Sequence, residues 1–117
     1  MPATEGGGRP SCLIALPCSA APDPAELADL AARGADLFEL RLDLSAIATA
    51  DEAAAAAQGF AGHRLIATCR SEREGGRPRP DAERLALLRA CAPHAAAIDI
   101  ELSSTEIFDA VADRLPP

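Results

Sequence analysis

The chain has 117 residues and a net charge of -7, and all 11 of its basic residues are arginine. At that length it is one small domain, about two-thirds buried if it folds alone, with no room for a separate regulatory domain. The negative balance argues against nucleic acid and anionic membrane as partners, since both need clustered cations.

Residues 1–10 are Gly-rich and read as a disordered N-terminal segment. They lack the basic start and apolar run of a signal peptide, and no stretch of the chain approaches 18 consecutive apolar residues. The expected location is the cytoplasm. "SCLIALP" (Ser11–Pro17) is an apolar run of strand length. "DPAELADLAARG" follows as a helix, with Asp23 as N-cap, Pro24 at its first position, Glu26 completing a capping box and Gly34 as the stop. "LFELRLDL" (Leu37–Leu44) is the second strand, and "TADEAAAAAQGF" the second helix, capped by Thr49 and Glu52. "RLIATCR" (Arg64–Arg70) is the third strand and "DAERLALLRACAP" the third helix, closed by Pro93. "AAIDIEL" (Ala96–Leu102) and "SSTEIFDAVADRL" complete the pattern, the last helix capped by Ser103 and Glu106 with Ile107, Val111 and Leu115 on one face.

Four strand-helix units in series predict a parallel sheet with right-handed crossovers, in residues 11–117. A doubly wound sheet would bury both strand faces and show unbroken apolar runs. A barrel carries helices outside only, which leaves its inner face free for polar groups near the top. Here Glu39, Arg41 and Asp43 alternate with Phe38, Leu40, Leu42 and Leu44, so one face of the second strand is ionic. Thr68 and Arg70 share a face of the third strand, and Asp99 and Glu101 a face of the fourth. That pattern predicts an α/β fold of four βα units, the first half of a (β/α)8 barrel. The competing reading is a solvated sheet face or structural ion pairs. Cys12, Cys18, Cys69 and Cys91 form no CxxC pair and read as reduced thiols, so neither a disulfide, a metal site nor a cofactor is expected.

"ELRLDL", "IATCRSEREGG" and "IDIEL", in this order and on strands of successive rank, resemble the type I 3-dehydroquinate dehydratase family, a lyase of the shikimate pathway built on a (β/α)8 barrel. The resemblance runs from about Cys12 to the end of the chain. It implies that Glu39 and Arg41 contact substrate hydroxyls, that Arg70 also reaches the substrate, and that Glu74 orients a catalytic histidine. Asp43, Asp99 and Glu101 match acidic positions that support this shell. The family's reaction removes water from 3-dehydroquinate to give 3-dehydroshikimate. An imine on a lysine acts as electron sink, and a histidine moves the protons. Arginine forks suit a small polyhydroxy acid because they fix several oxygens at once. Gly75 and Gly76 let the loop come close to the ligand.

The chain departs from the family: the family's lysine and histidine lie in the second half of the barrel, this sequence has no lysine, and the serine that the family often shows near the end of its first strand has no clear counterpart. His63 and His94 read as surface turn residues, and Ser19 is only the nearest candidate for that serine. A barrel needs about 250 residues. The proposed pocket also has two cations, Arg41 and Arg70, against four carboxylates. These points predict an N-terminal half, inactive alone, whose partners are a small-molecule substrate and either a missing C-terminal half or a second copy. A non-catalytic half-barrel that binds a small hydroxy acid or serves as an assembly module is the alternative. Inner-face apolar positions are expected at Ile14 and Leu16, next to the ionic cluster.

Overall fold

A computed structural model describes residues 13–112. The segment read as disordered, residues 1–10, and Leu115 in the last helix lie outside the described residues. The chain runs β1 (Ala15–Cys18), α1 (Pro24–Ala32), β2 (Leu37–Arg41), α2 (Ala50–Gln58), β3 (Leu65–Thr68), α3 (Asp81–Cys91), β4 (Ala97–Asp99) and α4 (Thr105–Val111). All strand pairs are parallel, and the sheet order is β1-β2-β3-β4. Each crossover therefore advances to the next neighbour without reversal, as in the first half of a (β/α)8 barrel and unlike a doubly wound sheet.

Local chemistry sets the helix ends. The Asp23 carboxylate accepts from the Glu26 N–H at 2.9 Å, Pro24 opens α1, and Gly34 leaves it at φ +117°. Thr49 and Glu52 make a full capping box ahead of α2. At α1 only the Asp23 half of the expected box is made among the described residues. The cap of α4 also differs from expectation. Ser104, not Ser103, is its N-cap, and both hydroxyls are engaged elsewhere: Ser103 donates to Glu74 and Ser104 to Glu101.

One face of the sheet makes the core. Phe38 and Leu40 of β2 and Leu65 and Ala67 of β3 pack with Leu27 of α1, Ala53 and Ala57 of α2, Leu87 and Leu88 of α3, and Ile107 and Val111 of α4. All four helices thus cover the same face. Residues at alternate positions then occupy the uncovered face, which holds Leu37, Glu39, Arg41, Ile66, Thr68, Ala97 and Asp99 by strand register. Leu16 falls opposite Phe38 in that register and packs against the core, so it does not belong to the inner face as expected; Ala15 and Pro17 do. The periodicity of a short, wholly apolar strand cannot distinguish its two faces. Ile14 lies before the strand and is exposed.

Cys69 and Cys91 are buried free thiols and Cys18 is half-buried. Burial, with a smaller contribution from Cys69, pushes the Cys91 thiol up to about 12. His63 is half-buried and packs edge-on against Phe38, with centroids 5.5 Å apart, so it is a packing residue and not a surface one. His94 is exposed and stands 3.3 Å from the Gln58 side chain. No helix among the described residues is long and apolar enough to cross a membrane.

Candidate active site

β2 ends at Arg41, three residues earlier than the predicted Leu44. After Arg41 the backbone turns into a short 3-10 helix, Leu42–Leu44, so Asp43 is on a turn and not on the strand. The turn is held by side chains that the strand reading did not use. Ser45 Oγ donates to the Leu42 carbonyl at 2.8 Å, and Arg79 donates to the carbonyls of Ile47 at 3.0 Å and Leu42 at 3.4 Å. Asp43 still belongs to the site. Its carboxylate takes a two-point fork from Arg41, with Nε to Oδ1 at 3.0 Å and Nη2 to Oδ2 at 2.7 Å.

The fork leaves Arg41 Nη1 without a partner among the described residues. Glu39, on the same face, accepts from Thr68 Oγ1 through Oε2 at 2.7 Å, and its Oε1 has no partner among them. The register sets Arg41 beside Thr68, and Arg70 lies two residues beyond Thr68 at the carboxyl end of β3. Arg70 Nη2 reaches Asp99 Oδ2 at 3.1 Å, and its Nη1 lies 3.6 Å from Glu101 Oε2. Arg41 and Arg70 are each about three-quarters shielded from water, with side-chain exposures of 23% and 25%. Expected partners are therefore brought together at one end of the sheet.

The loop after β3 carries Glu74 on a 3-10 turn, Glu72–Glu74. Glu74 is exposed, and its Oε2 accepts from Ser103 Oγ at 3.2 Å, which ties this loop to the one after β4. Gly75 takes φ +97°, open to glycine at little cost. Gly76 is needed for a different reason: a Cβ there would lie 2.0 Å from the Arg70 carbonyl oxygen, so any side chain must displace either the loop or Arg70.

Besides Arg79, a second charged group escaped the sequence reading. Arg84 of α3 is 2% exposed and donates to Glu101 Oε1 at 2.7 Å, to the Cys69 carbonyl at 3.0 Å and to Asp81 Oδ1 at 3.0 Å. Its signal was present, because Arg84, Leu87, Leu88 and Cys91 fall at the spacing of a single buried helical stripe. Arg84 also corrects the charge tally of the cluster, which is three cations against four carboxylates. Part of the expected deficit is filled from within this chain.

Two carboxyls hold the cluster's charge. Burial pushes the Asp43 carboxyl up, but the Arg41 fork and the Arg70 backbone N–H outweigh it and hold the group below its ordinary 3.8. Burial likewise opposes ionisation of Glu101, and the Ser71 N–H at 2.6 Å, with Arg84, brings the net shift below its ordinary 4.5. Both groups bind protons more weakly folded than unfolded. Their stabilisation is thus complete above the ordinary values and is lost as pH falls through the folded ones. We expect urea midpoints that are flat near neutrality and fall steadily below about pH 4.5, with a shallower fall in Asp43→Asn, which has one such carboxyl fewer.

Arranged this way, the end of the sheet offers the Arg41 Nη1 left by the fork, a second guanidinium at Arg70 held by Asp99, a carboxylate with a free oxygen and a second carboxylate on an adjacent loop. That set fits a small ligand with several hydroxyl and carboxylate oxygens. Among the described residues, no group of three or more His, Cys, Asp or Glu side chains is placed to hold a metal ion.

Comparison with known proteins gives the same direction. The family model for type I 3-dehydroquinase matches residues 14–115. The chain is similar to the crystal structure of 3-dehydroquinate dehydratase from Aquifex aeolicus VF5 at 27% identity and a TM-score of 0.67, over 88% of this chain and 49% of that one. It is similar to the 3-dehydroquinate dehydratase of Geobacillus kaustophilus HTA426 at 27% identity and a TM-score of 0.70, over 92% of this chain and 48% of that one. A search of curated protein sequences finds no match. The chain thus spans about half the length of the solved structures it resembles. With the match running through nearly every described residue, this chain belongs to the type I 3-dehydroquinase family.

Proposed function

We propose that this chain supplies the first half of a 3-dehydroquinate dehydratase site, the half that grips the substrate's oxygens while water is lost to give 3-dehydroshikimate. The observation that supports the reading is the register: Glu39 and Arg41 share one face of β2 beside Thr68 of β3, Arg70 follows just past the carboxyl end of β3, and Glu74 lies on the loop after it. In this reading Arg41 and Arg70 hold oxygens of the substrate, Glu39 accepts from a hydroxyl, and Asp43, Asp99 and Glu101 fix the forks. Glu74 keeps a histidine in the right tautomer and orientation. The histidine and the imine-forming lysine come from a second half of the barrel, in the cytoplasm and within the shikimate pathway. These 117 residues contain no lysine to play that part.

The test is reconstitution. The chain is mixed with the second half of the Geobacillus kaustophilus enzyme, and formation of the enone product is followed by absorbance. We expect turnover in the mixture and a loss of about 10²-fold or more in kcat/KM with Arg70→Ala or Arg41→Ala. Variants that keep wild-type turnover would end this reading.

A specific feature favours assembly as part of the function. The free edge of β4 runs into a mostly apolar groove of ≈ 610 Å³, where Ile98, Ile100, Leu102, Phe108, Val111 and Ala112 line it together with Glu101 and Thr105, and Leu102 is 98% and Phe108 57% exposed. At the other edge, beside β1, Leu13 and Ile14 are also exposed. Unpaired strand edges next to apolar surface invite pairing. In the absence of a second half, two copies can meet at these edges, opposed by their net negative charge. Light scattering should show association that strengthens as salt rises and screens that repulsion. A monodisperse 12.0 kDa species at every salt concentration would count against it.

A further inference from the structure

Arg84 lies outside the sheet face that holds the substrate-binding groups, yet it is wired to them. Its three bonds join α3, the carbonyl of Cys69 at the end of β3, and Glu101 beyond the end of β4. Glu101 in turn uses both oxygens: Oε2 accepts from the Ser71 N–H at 2.6 Å and lies 3.6 Å from Arg70 Nη1, while Oε1 takes Arg84 and Ser104 Oγ. Ser71 then sets the loop, since its carbonyl accepts from the Glu74 N–H at 3.0 Å and the Gly76 N–H at 2.9 Å. A chain of contacts shorter than 4 Å therefore runs from a buried helix residue to both Arg70 and Glu74.

We propose that Arg84 is a positioning residue of the dehydratase site, which through Glu101 sets the direction of the Arg70 fork and the height of the loop that carries Glu74. The proposal rests on the functional reading above for the roles of Arg70 and Glu74, but the mechanical link does not. A planar fork is what the position requires. One guanidinium reaches a carbonyl, a carboxylate at the helix start and a buried carboxylate at once, whereas a lysine ammonium keeps the charge but presents a single nitrogen. The loop has little slack, because Gly76 is already in contact with the Arg70 backbone.

The experiment uses the full chain with nitrogen-15 label and compares wild type with Arg84→Lys and Arg84→Met. Amide hydrogen exchange is read at Ser71, Glu74 and Gly76, with the Phe38 amide, which bonds the Arg64 carbonyl at 2.9 Å, as the internal standard. In Arg84→Lys the loop amides should exchange about tenfold faster or more while Phe38 keeps its protection. If Arg84→Met does not fold, the lysine variant alone decides. Unchanged loop protection in Arg84→Lys would overturn the proposal. The second readout is kcat/KM after reconstitution with a second half, expected to fall about tenfold in Arg84→Lys and to stay at wild type in Arg89→Lys, an exposed position on the same helix. A loosened loop with unchanged kcat/KM would also overturn it. Failure of Arg70→Ala to impair turnover would instead strike the functional reading and leave the mechanical link standing.

Discussion

A preparation of these 117 residues alone should convert no 3-dehydroquinate, and borohydride added with substrate should leave its mass unchanged. The reason is chemical. Loss of water from a 3-keto acid needs the adjacent hydrogen made acidic, and in the family an imine on a lysine does this. This sequence has no lysine, so no side-chain amine is available. Its two histidines do not compensate: His63 is packed against Phe38 and His94 stands by Gln58, away from Arg41 and Arg70. Electrostatic groups that bind ground state and transition state alike lower the barrier little. The expected rate is therefore that of the uncatalysed reaction. Adding a second half should restore turnover, and the borohydride adduct should then appear on that half and not on this chain. An adduct on this chain, or turnover by it alone, would show that another amine does the work.

The second large effect is on stability. Arg84→Met should cost about 3–5 kcal/mol, because it leaves the Glu101 carboxylate, whose side chain is 2% exposed, without its closest cation. A domain of this size has about 5–15 kcal/mol in total, so the variant would stand near unfolding. Arg70, at 3.6 Å and already engaged with Asp99, compensates only in part. Replacing both members, Arg84→Met with Glu101→Leu, should recover most of the loss, since no buried charge then remains unpaired. Urea unfolding with a double-mutant cycle measures this. A single-variant cost under about 1 kcal/mol would mean that the carboxylate relaxes toward water, and the account of a rigid link from α3 to the site would lose its basis.

What the sequence discloses and what it hides follow from the range of the interactions. Helix starts were legible where their signals are local: Asp23 caps α1 and Thr49 with Glu52 boxes α2 within one turn, whereas the α4 cap read as Ser103 did not form because Ser103 and Ser104 bond Glu74 and Glu101 instead. The parallel order followed from strict strand-helix alternation. That Glu39 and Arg41 share one sheet face with Thr68, with Arg70 just past the end of β3, was legible from alternation along the strands. The end of β2 was not. Beside the local Asp43 fork with Arg41, the turn is held by Arg79, which captures the carbonyls of Ile47 and Leu42 from 32 and 37 residues away, and no local pattern announces those bonds. Arg84 was overlooked for the opposite reason. Its place in a helical stripe is local, but a charged residue there reads as an interruption of the stripe until its buried partner is known. The face of Leu16 was misjudged because an all-apolar strand has no alternation to read.

The central claim is that Glu39, Arg41, Arg70 and Glu74 converge on one ligand. Its most direct test is a crystal structure of the chain joined with a second barrel half and soaked with 3-dehydroshikimate. The account predicts that product oxygens lie within hydrogen-bond distance of the Arg41 and Arg70 guanidinium groups and of Glu39, with Glu74 turned toward the second half's histidine. Product found instead in the polar cavity between α3 and α4, lined by Arg73, Asp81, Ser103 and Glu106, with Arg41 still engaged only by Asp43 and Arg70 only by Asp99 and Glu101, would contradict it.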